Sequence, residues 1–238
     1  MAAALANPDR HWRRLAVLAG QEDEANALIA AASAQRRSDG EAIRILDRAG
    51  FAALLGEDAV HQGLALEVEP LDTPDLDDVL RAASVAERAV LVVLDQVSDP
   101  HNVGAILRAA AAFGALAVIV AAHGAPPATG ALAKAASGAL ELAPLIPAVN
   151  LARALDRLKE AGFWCCGLDE RAPHHLAELE LGPRVALVLG AEGDGLRRLV
   201  REACDYLARL PTTPQMPSLN VSTAAAVALY ALRAKAGS

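Results

Sequence analysis

Three polar clusters follow apolar runs in this chain, and together they hold the residue types that position a small polar group for reaction. The run at 89–94 leads into Asp95-Gln96-Val97-Ser98-Asp99-Pro100-His101-Asn102-Val103-Gly104, and Arg108 follows as the one charged residue of an apolar stretch. The run at 185–189 leads into Gly190-Ala191-Glu192-Gly193-Asp194-Gly195. Near the end, Leu210-Pro211-Thr212-Thr213-Pro214-Gln215-Met216-Pro217 leads to Ser218-Leu219-Asn220-Val221-Ser222. Singly, each has an ordinary structural reading. Asp99-Pro100 suits a helix start, Arg108 a surface arginine with a buried stem, the glycines a turn, and Ser218 a helix cap. Taken in combination, carboxylates, amides and a guanidinium at the ends of apolar runs suggest a binding site.

The elements that must carry these residues alternate in type. Strands are expected at 14–19, 42–46 and 64–68, with helices at 22–37 and 48–55, which makes a small α/β unit. Residues 70–88 are acidic and contain Pro70 and Pro74, with one short helix near 75–83, and read as a linker. Beyond it come continuous apolar runs at 89–94, 116–120, 163–168 and 185–189, the pattern of parallel strands buried on both faces. Helices are expected at 103–113, 151–161, 196–203 and 219–234. The last is apolar on nearly all sides and should be buried on more than one face. In an open parallel sheet the carboxyl ends of strands are where ligands bind, and all three polar clusters fall at such ends.

Composition narrows the function classes. The 238 residues are 54% hydrophobic, enough for a full core, and no apolar run reaches the roughly 20 residues of a membrane helix. Cys165, Cys166 and Cys204 are odd in number and lack C-x-x-C pairing, so neither a disulfide framework nor a zinc site is suggested, no metal is expected, and a cytoplasmic location fits. The net charge of −7 weighs against phosphate binding, but its distribution removes the objection. Residues 1–50 carry seven basic and seven acidic side chains, residues 51–90 two and nine, and residues 91–238 thirteen of each. Two basic clusters, Arg10/Arg13/Arg14 and Arg197/Arg198/Arg201, are candidate RNA contacts or solvated faces. A dinucleotide fold is excluded, because G-x-G-x-x-G should follow the first strand of its unit, and here Asp-Gln-Val-Ser-Asp-Pro does.

Three motifs in order carry a resemblance: Leu94-Asp95-x-x-x-Asp99-Pro100-x-Asn102-x-Gly104-x-x-x-Arg108 with Phe113-Gly114; Leu189-Gly190-x-Glu192-Gly193-x-Gly195-Leu196; and Pro211 spaced from Ser218-Leu219-Asn220-Val221-Ser222. They resemble the motifs of the SpoU-type (TrmH-like) RNA ribose 2′-O-methyltransferases of the SPOUT superfamily, and the resemblance spans residues 89–235. It implies an α/β fold, a C-terminal parallel-sheet domain (89–238) with a trefoil knot, and a homodimer. It also implies transfer of a methyl group from S-adenosylmethionine (SAM) to a ribose 2′-hydroxyl of structured RNA, ribosomal RNA ahead of transfer RNA. Val60-His61-Gln62-Gly63 before a strand is similar to the end of the L30e-like substrate-binding domain of the ribosomal RNA branch, which assigns residues 1–70 to RNA binding and 71–88 to the linker. The Gly/His segment that normally precedes Ala-Leu-x-Asn-Pro is missing ahead of Ala4-Leu5-Ala6-Asn7-Pro8, so this domain is expected to be truncated or reduced at its start.

By the same resemblance, Arg108 activates the ribose hydroxyl. It would do so as proton acceptor or, since arginine normally stays protonated, through a phosphate or by lowering the hydroxyl pKa. Asn102, Glu192, Ser218 and Asn220 match the polar active-site positions, and Gly190, Leu210 and Leu219 match positions that hold SAM through backbone and apolar contact. The chain departs from the family at Thr212, Pro214 and Pro217, where Met, glycines and an acidic residue are usual. Proline fixes φ and removes donors, so this loop should be stiffer. The alternatives are a catalytically silent RNA-binding protein of the same fold and a nucleotide-binding α/β enzyme built on 190–195, and the second lacks a P-loop or an acidic ribose partner.

Overall fold

In the computed structural model, which describes residues 1–33, 35–36, 40–57, 59–124, 126 and 129–235, the chain divides into two compact units, Met1–Asp72 and Thr73–Ser238. The smaller is organised around β1 (His11–Leu18), which pairs in parallel with β2 (Gln35–Arg36) and β3 (Ile43–Leu46) and antiparallel with β4 (Leu64–Val68). Helices α1 (Ala2–Ala6), α2 (Glu22–Ala30) and α3 (Arg48–Leu55) complete it. Leu5, Trp12, Leu15, Val17 and Ala25 form its core. The helix expected over 22–37 ends at Ala30, and Gln35–Arg36 is a strand against His11 and Trp12. Good helix formers (Ala31, Ala32, Gln35, Arg36) yield there to tertiary pairing, with the Arg36 guanidinium 5.6 Å over the Trp12 ring. Arg37 lies outside the described residues. The His61-Gln62-Gly63 turn is held by the His61 ring, which stacks on Phe51 at 4.3 Å and accepts the Gly63 N–H at 2.9 Å.

The larger unit starts with α4 (Leu76–Val85), inside the stretch expected as linker. Its Val79 and Ala83 are buried in the core, and Asp77 pairs with Arg157. There follow β5 (Ala89–Asp95), α5 (Pro100–Ala112), β6 (Ala117–Ala121), α6 (Gly130–Ala136), β7 (Leu145–Ala148), α7 (Leu151–Glu160), β8 (Trp164–Leu168), β9 (His174–His175), β10 (Arg184–Gly190), α8 (Arg198–Ala203), β11 (Tyr206–Arg209) and α9 (Val221–Ala234). Seven strands form one all-parallel sheet in the order β7-β6-β5-β10-β8-β11-β9. Strand side chains alternate between two cores. Val92 and Leu94 pack with α5 and α9 on one face, and Leu91 and Val93 with α4, α7 and α8 on the other. Chain order reverses between β5 and β10, the kind of place where open α/β sheets bind ligands.

Two features of the packing bear on the site. Gly104 lies where α5 meets α6, and a Cβ there would come within 2.5 Å of Ala135 Cβ and 2.9 Å of the backbone at Leu132 and Ala136. Gly104→Val is therefore expected to destabilise the larger unit by about 1–3 kcal/mol, the usual cost of overpacking. Thermal unfolding checks this, since each kcal/mol lowers Tm by roughly 2–4 °C at this size. The final helix starts at Val221, not at residue 219. It buries Val221, Ala225, Ala228, Leu229 and Leu232, yet leaves Val227 (42%) and Tyr230 (63%) exposed. Burial on more than one face is thus not what the single chain provides.

Candidate functional site

Asp99 caps α5 by accepting the His101 N–H at 3.0 Å, with Pro100 in the first turn. This fixes Asn102 at the helix start, its side-chain amide aimed across the sheet end. Asn220 caps α9, its Oδ1 accepting N–H groups of Ser222 (2.9 Å) and Thr223 (3.3 Å) and the Ser222 hydroxyl (2.6 Å). With Oδ1 committed to the cap, Asn220 Nδ2 donates to Asn102 Oδ1 at 3.0 Å and Glu192 Oε1 at 2.5 Å. Glu192 Oε1 also accepts from Asn102 Nδ2 and from the Val221 N–H, each at 3.3 Å. A carboxylate, acceptor-only when ionised, suits three donors at a helix N-terminus, where negative charge is favoured. Residues 90 and 118 positions from Asn102 are thereby tied into one network.

The loop carrying Glu192 is tight. Gly195 N–H bonds the Ala191 carbonyl at 2.9 Å, Ala191 and Gly195 pair, and Gly193 and Gly195 have φ of 85° and 67°. At Gly190 the need for glycine comes from the chain itself: a Cβ would sit 2.2 Å from Gly195 C and 2.3 Å from its oxygen. The loop's own return path thus requires glycine here, whatever the cavity holds.

Beside the network lies a cavity of about 330 Å³ at the carboxyl ends of β8, β10 and β11, within the range of small-molecule sites, roughly 300–1,000 Å³. Gly190, Leu210, Ser218 and Leu219 line it, as does Glu192. Its far wall carries Asp169, Arg201 and Arg209. Thr212 and Pro217 also line it, and the Thr212 hydroxyl donates to the Pro217 carbonyl at 2.8 Å. Met216 N–H closes a turn on Thr213 at 3.1 Å around Pro214. Hydroxyl and turn thus stiffen a loop from which the prolines have removed donors.

Arg108 stands apart from this network. It is exposed, does not line the cavity, and lies six residues beyond Asn102, about 9 Å along a helix. Ser218 lines the cavity but is no helix cap, a role that Asn220 takes. The arginines of the 197–201 cluster each face a carboxylate: Arg197 pairs with Asp95, Arg198 with Glu202, and Arg201 with Asp169. The Asp95–Arg197 pair was not anticipated, and a carboxylate ending an otherwise apolar strand was its only signal. Burial pushes the Cys165, Cys166 and Cys204 thiols up to about 12, so none of them supplies a thiolate near neutral pH. Among the described residues no helix is long and apolar enough to cross a membrane.

Residues 89–230 match the SpoU rRNA Methylase family. The chain belongs to this family. The SpoU domain accordingly contains all three motif clusters, including the Asn102–Glu192–Asn220 network. Among relatives, the chain is 46% identical over 177 residues to the 23S rRNA (guanosine-2′-O-)-methyltransferase RlmB of Vibrio cholerae, covering 73% of this chain and 70% of that one. It is 39% identical over 232 residues to the RlmB of Pseudomonas syringae pv. tomato, covering 96% and 90%. The fold is that of the SpoU methyltransferase AviRb from Streptomyces viridochromogenes, solved in complex with AdoMet. That likeness has a TM-score of 0.80 at 22% identity, over 99% of this chain and 87% of that one.

Proposed function

We propose that this SpoU-family chain transfers the methyl group of SAM to the 2′-hydroxyl of a guanosine in 23S ribosomal RNA, in the cytoplasm. The observation that carries this reading is the convergence of Asn102, Glu192 and Asn220 on one edge of a cavity of small-molecule size, in a chain that the RlmB of Pseudomonas syringae pv. tomato matches over 96% of its length. The cavity suits the cofactor chemically. Leu189, Leu210 and Leu219 offer apolar surface for an adenine, while carboxylates and Arg201 offer partners for the charged methionine end. SAM, when bound, supplies an electrophilic methyl group on a sulfonium. Gly190, Leu210 and Leu219 form the wall against which it rests, and Ser218, Asn102, Glu192 and Asn220 orient the ribose and its phosphate. Arg108 favours loss of the hydroxyl proton. The test is incubation of the protein with labelled SAM and unmodified 23S rRNA, followed by nuclease digestion. Label is expected in 2′-O-methylguanosine, and label in a base, or none at all, counts against the reading. The catalytically silent alternative has no observation in its favour, since all five polar positions are kept.

Three further parts belong to this proposal. Residues 1–70 act as an L30e-like RNA reader. The C-terminal segment is threaded as a trefoil knot, as the resemblance implies. The protein is a homodimer, supported by the exposed Val227 and Tyr230 on α9 and by the usual two-fold solution to such a surface. Arg108 is exposed on α5, the helix that packs against α9, and a second copy can receive it where its own cavity does not. Light scattering is expected to give twice the 24.6 kDa chain mass. A monomer at micromolar concentration contradicts the dimer.

A further inference from the structure

Strand β5 ends in Asp95, whose side chain is fully buried. Among the described residues the only other buried charged side chain is Arg10. Asp95 Oδ2 accepts the backbone N–H of Arg197 at 2.8 Å, and Oδ1 accepts its Nε–H at 2.7 Å. In the sheet register Asp95 is the partner of Gly190. Its backbone therefore sits beside the entry of loop 190–197, and its carboxylate grips the exit. Between the two ends lie Glu192 and much of one cavity wall. The Asp95 carboxylate is buried while the Arg197 guanidinium is half-exposed, and such a pair is a weak source of stability because desolvating the carboxylate offsets much of the attraction, so a charge at this place points to geometry. The bridge within the loop, Ala191 to Gly195, is a single backbone hydrogen bond. The Arg197 carbonyl accepts the Arg201 N–H at 2.9 Å to open α8, and the Asp95 carboxylate ties this same residue to the sheet end.

We propose that Asp95 is a positioning residue that, through Arg197, holds loop 190–197 in the shape that receives the cofactor. This rests on the SAM-binding reading given above. Asp95 does not itself line the cavity and acts through the loop. The carboxylate does two jobs that separate by mutation. The backbone N–H of residue 197 survives any substitution there but proline, whereas the Nε bond needs arginine. Asp95→Asn keeps an oxygen for the N–H.

The test uses the full chain in two measurements, hydrogen exchange without SAM and equilibrium dialysis with labelled SAM. In Asp95→Ala the Gly195 amide is expected to exchange about tenfold faster, with the mid-strand amide of Val93 unchanged and the SAM Kd raised about tenfold. Asp95→Asn should recover most of both effects, as a positioning role requires. Should Asp95→Ala fail to fold, Arg197→Pro, which removes both donors to Asp95 at a residue whose φ of −60° proline adopts, decides on the same exchange readout. Loop-selective acceleration of threefold or more supports the inference. Less than threefold at Gly195, or equal acceleration at Val93, overturns it. Wild-type protein that binds no SAM would instead refute the proposed function, and the exchange measurement would still decide the role of Asp95.

Discussion

Arg108→Ala is expected to cut methyl transfer by a factor on the order of 10² to 10⁴, the usual worth of a positioned acid–base group, while leaving the SAM Kd nearly unchanged. The geometry separates the two effects. Arg108 is exposed and away from the cavity wall formed by Gly190, Leu210 and Leu219, so its removal takes nothing from the cofactor side. It is the one charged side chain of α5, and an exposed guanidinium for which the described residues provide no ion pair costs little stability to remove. Single-turnover kinetics at saturating SAM, set beside dialysis, measure both quantities. Loss of SAM binding in the folded variant would move Arg108 to the cofactor side, and near-normal turnover would remove it from the mechanism.

Gly190→Val is expected to do the reverse. A Cβ at 190 would meet Gly195 C, Gly195 O and Leu196 N at 2.2, 2.3 and 2.5 Å, all backbone atoms without a rotamer to escape into. The loop must then move, taking Ala191 and Glu192 with it and breaking the wall shared with Leu219. SAM affinity should fall by about 100-fold or more, a loss near 2.7 kcal/mol. Gly193→Ala provides the comparison. A Cβ there meets nothing within 4 Å, and only its φ of 85° is unfavourable, so about 1–2 kcal/mol of local strain is the whole expected cost. Equal affinities for Gly190→Val and wild type would show that the loop's tight return is not what forms the cavity wall.

The long apolar runs could be read directly, because a strand buried on both faces leaves no other pattern. Runs 89–94 and 185–189 became β5 and β10 to within a residue at each end. The short strands could not. Leu145–Ala148 holds Pro147 and pairs only at the sheet edge, where proline is tolerated, and Tyr206–Arg209 buries one side chain of four. Strand order was beyond reach for a different reason. In a parallel sheet neighbours are chosen by crossovers, so nothing local in 89–95 says that 184–190 lies beside it. The same limit applied to the site. Asn102, Glu192 and Asn220 each follow an apolar stretch and could be singled out, but their shared hydrogen bonds depend on that strand order. Asp95 was visible as a motif residue. Its role was not, because a carboxylate ending a strand ordinarily faces water.

The measurement that bears most directly on the central claim is a map of ribose 2′-O-methylation in 23S rRNA from cells with and without this gene. The account predicts that one guanosine loses its 2′-O-methyl group when the gene is absent and regains it when the intact gene, but not the Arg108→Ala form, is restored. An unchanged 23S rRNA map, or a loss confined to transfer RNA, would contradict it.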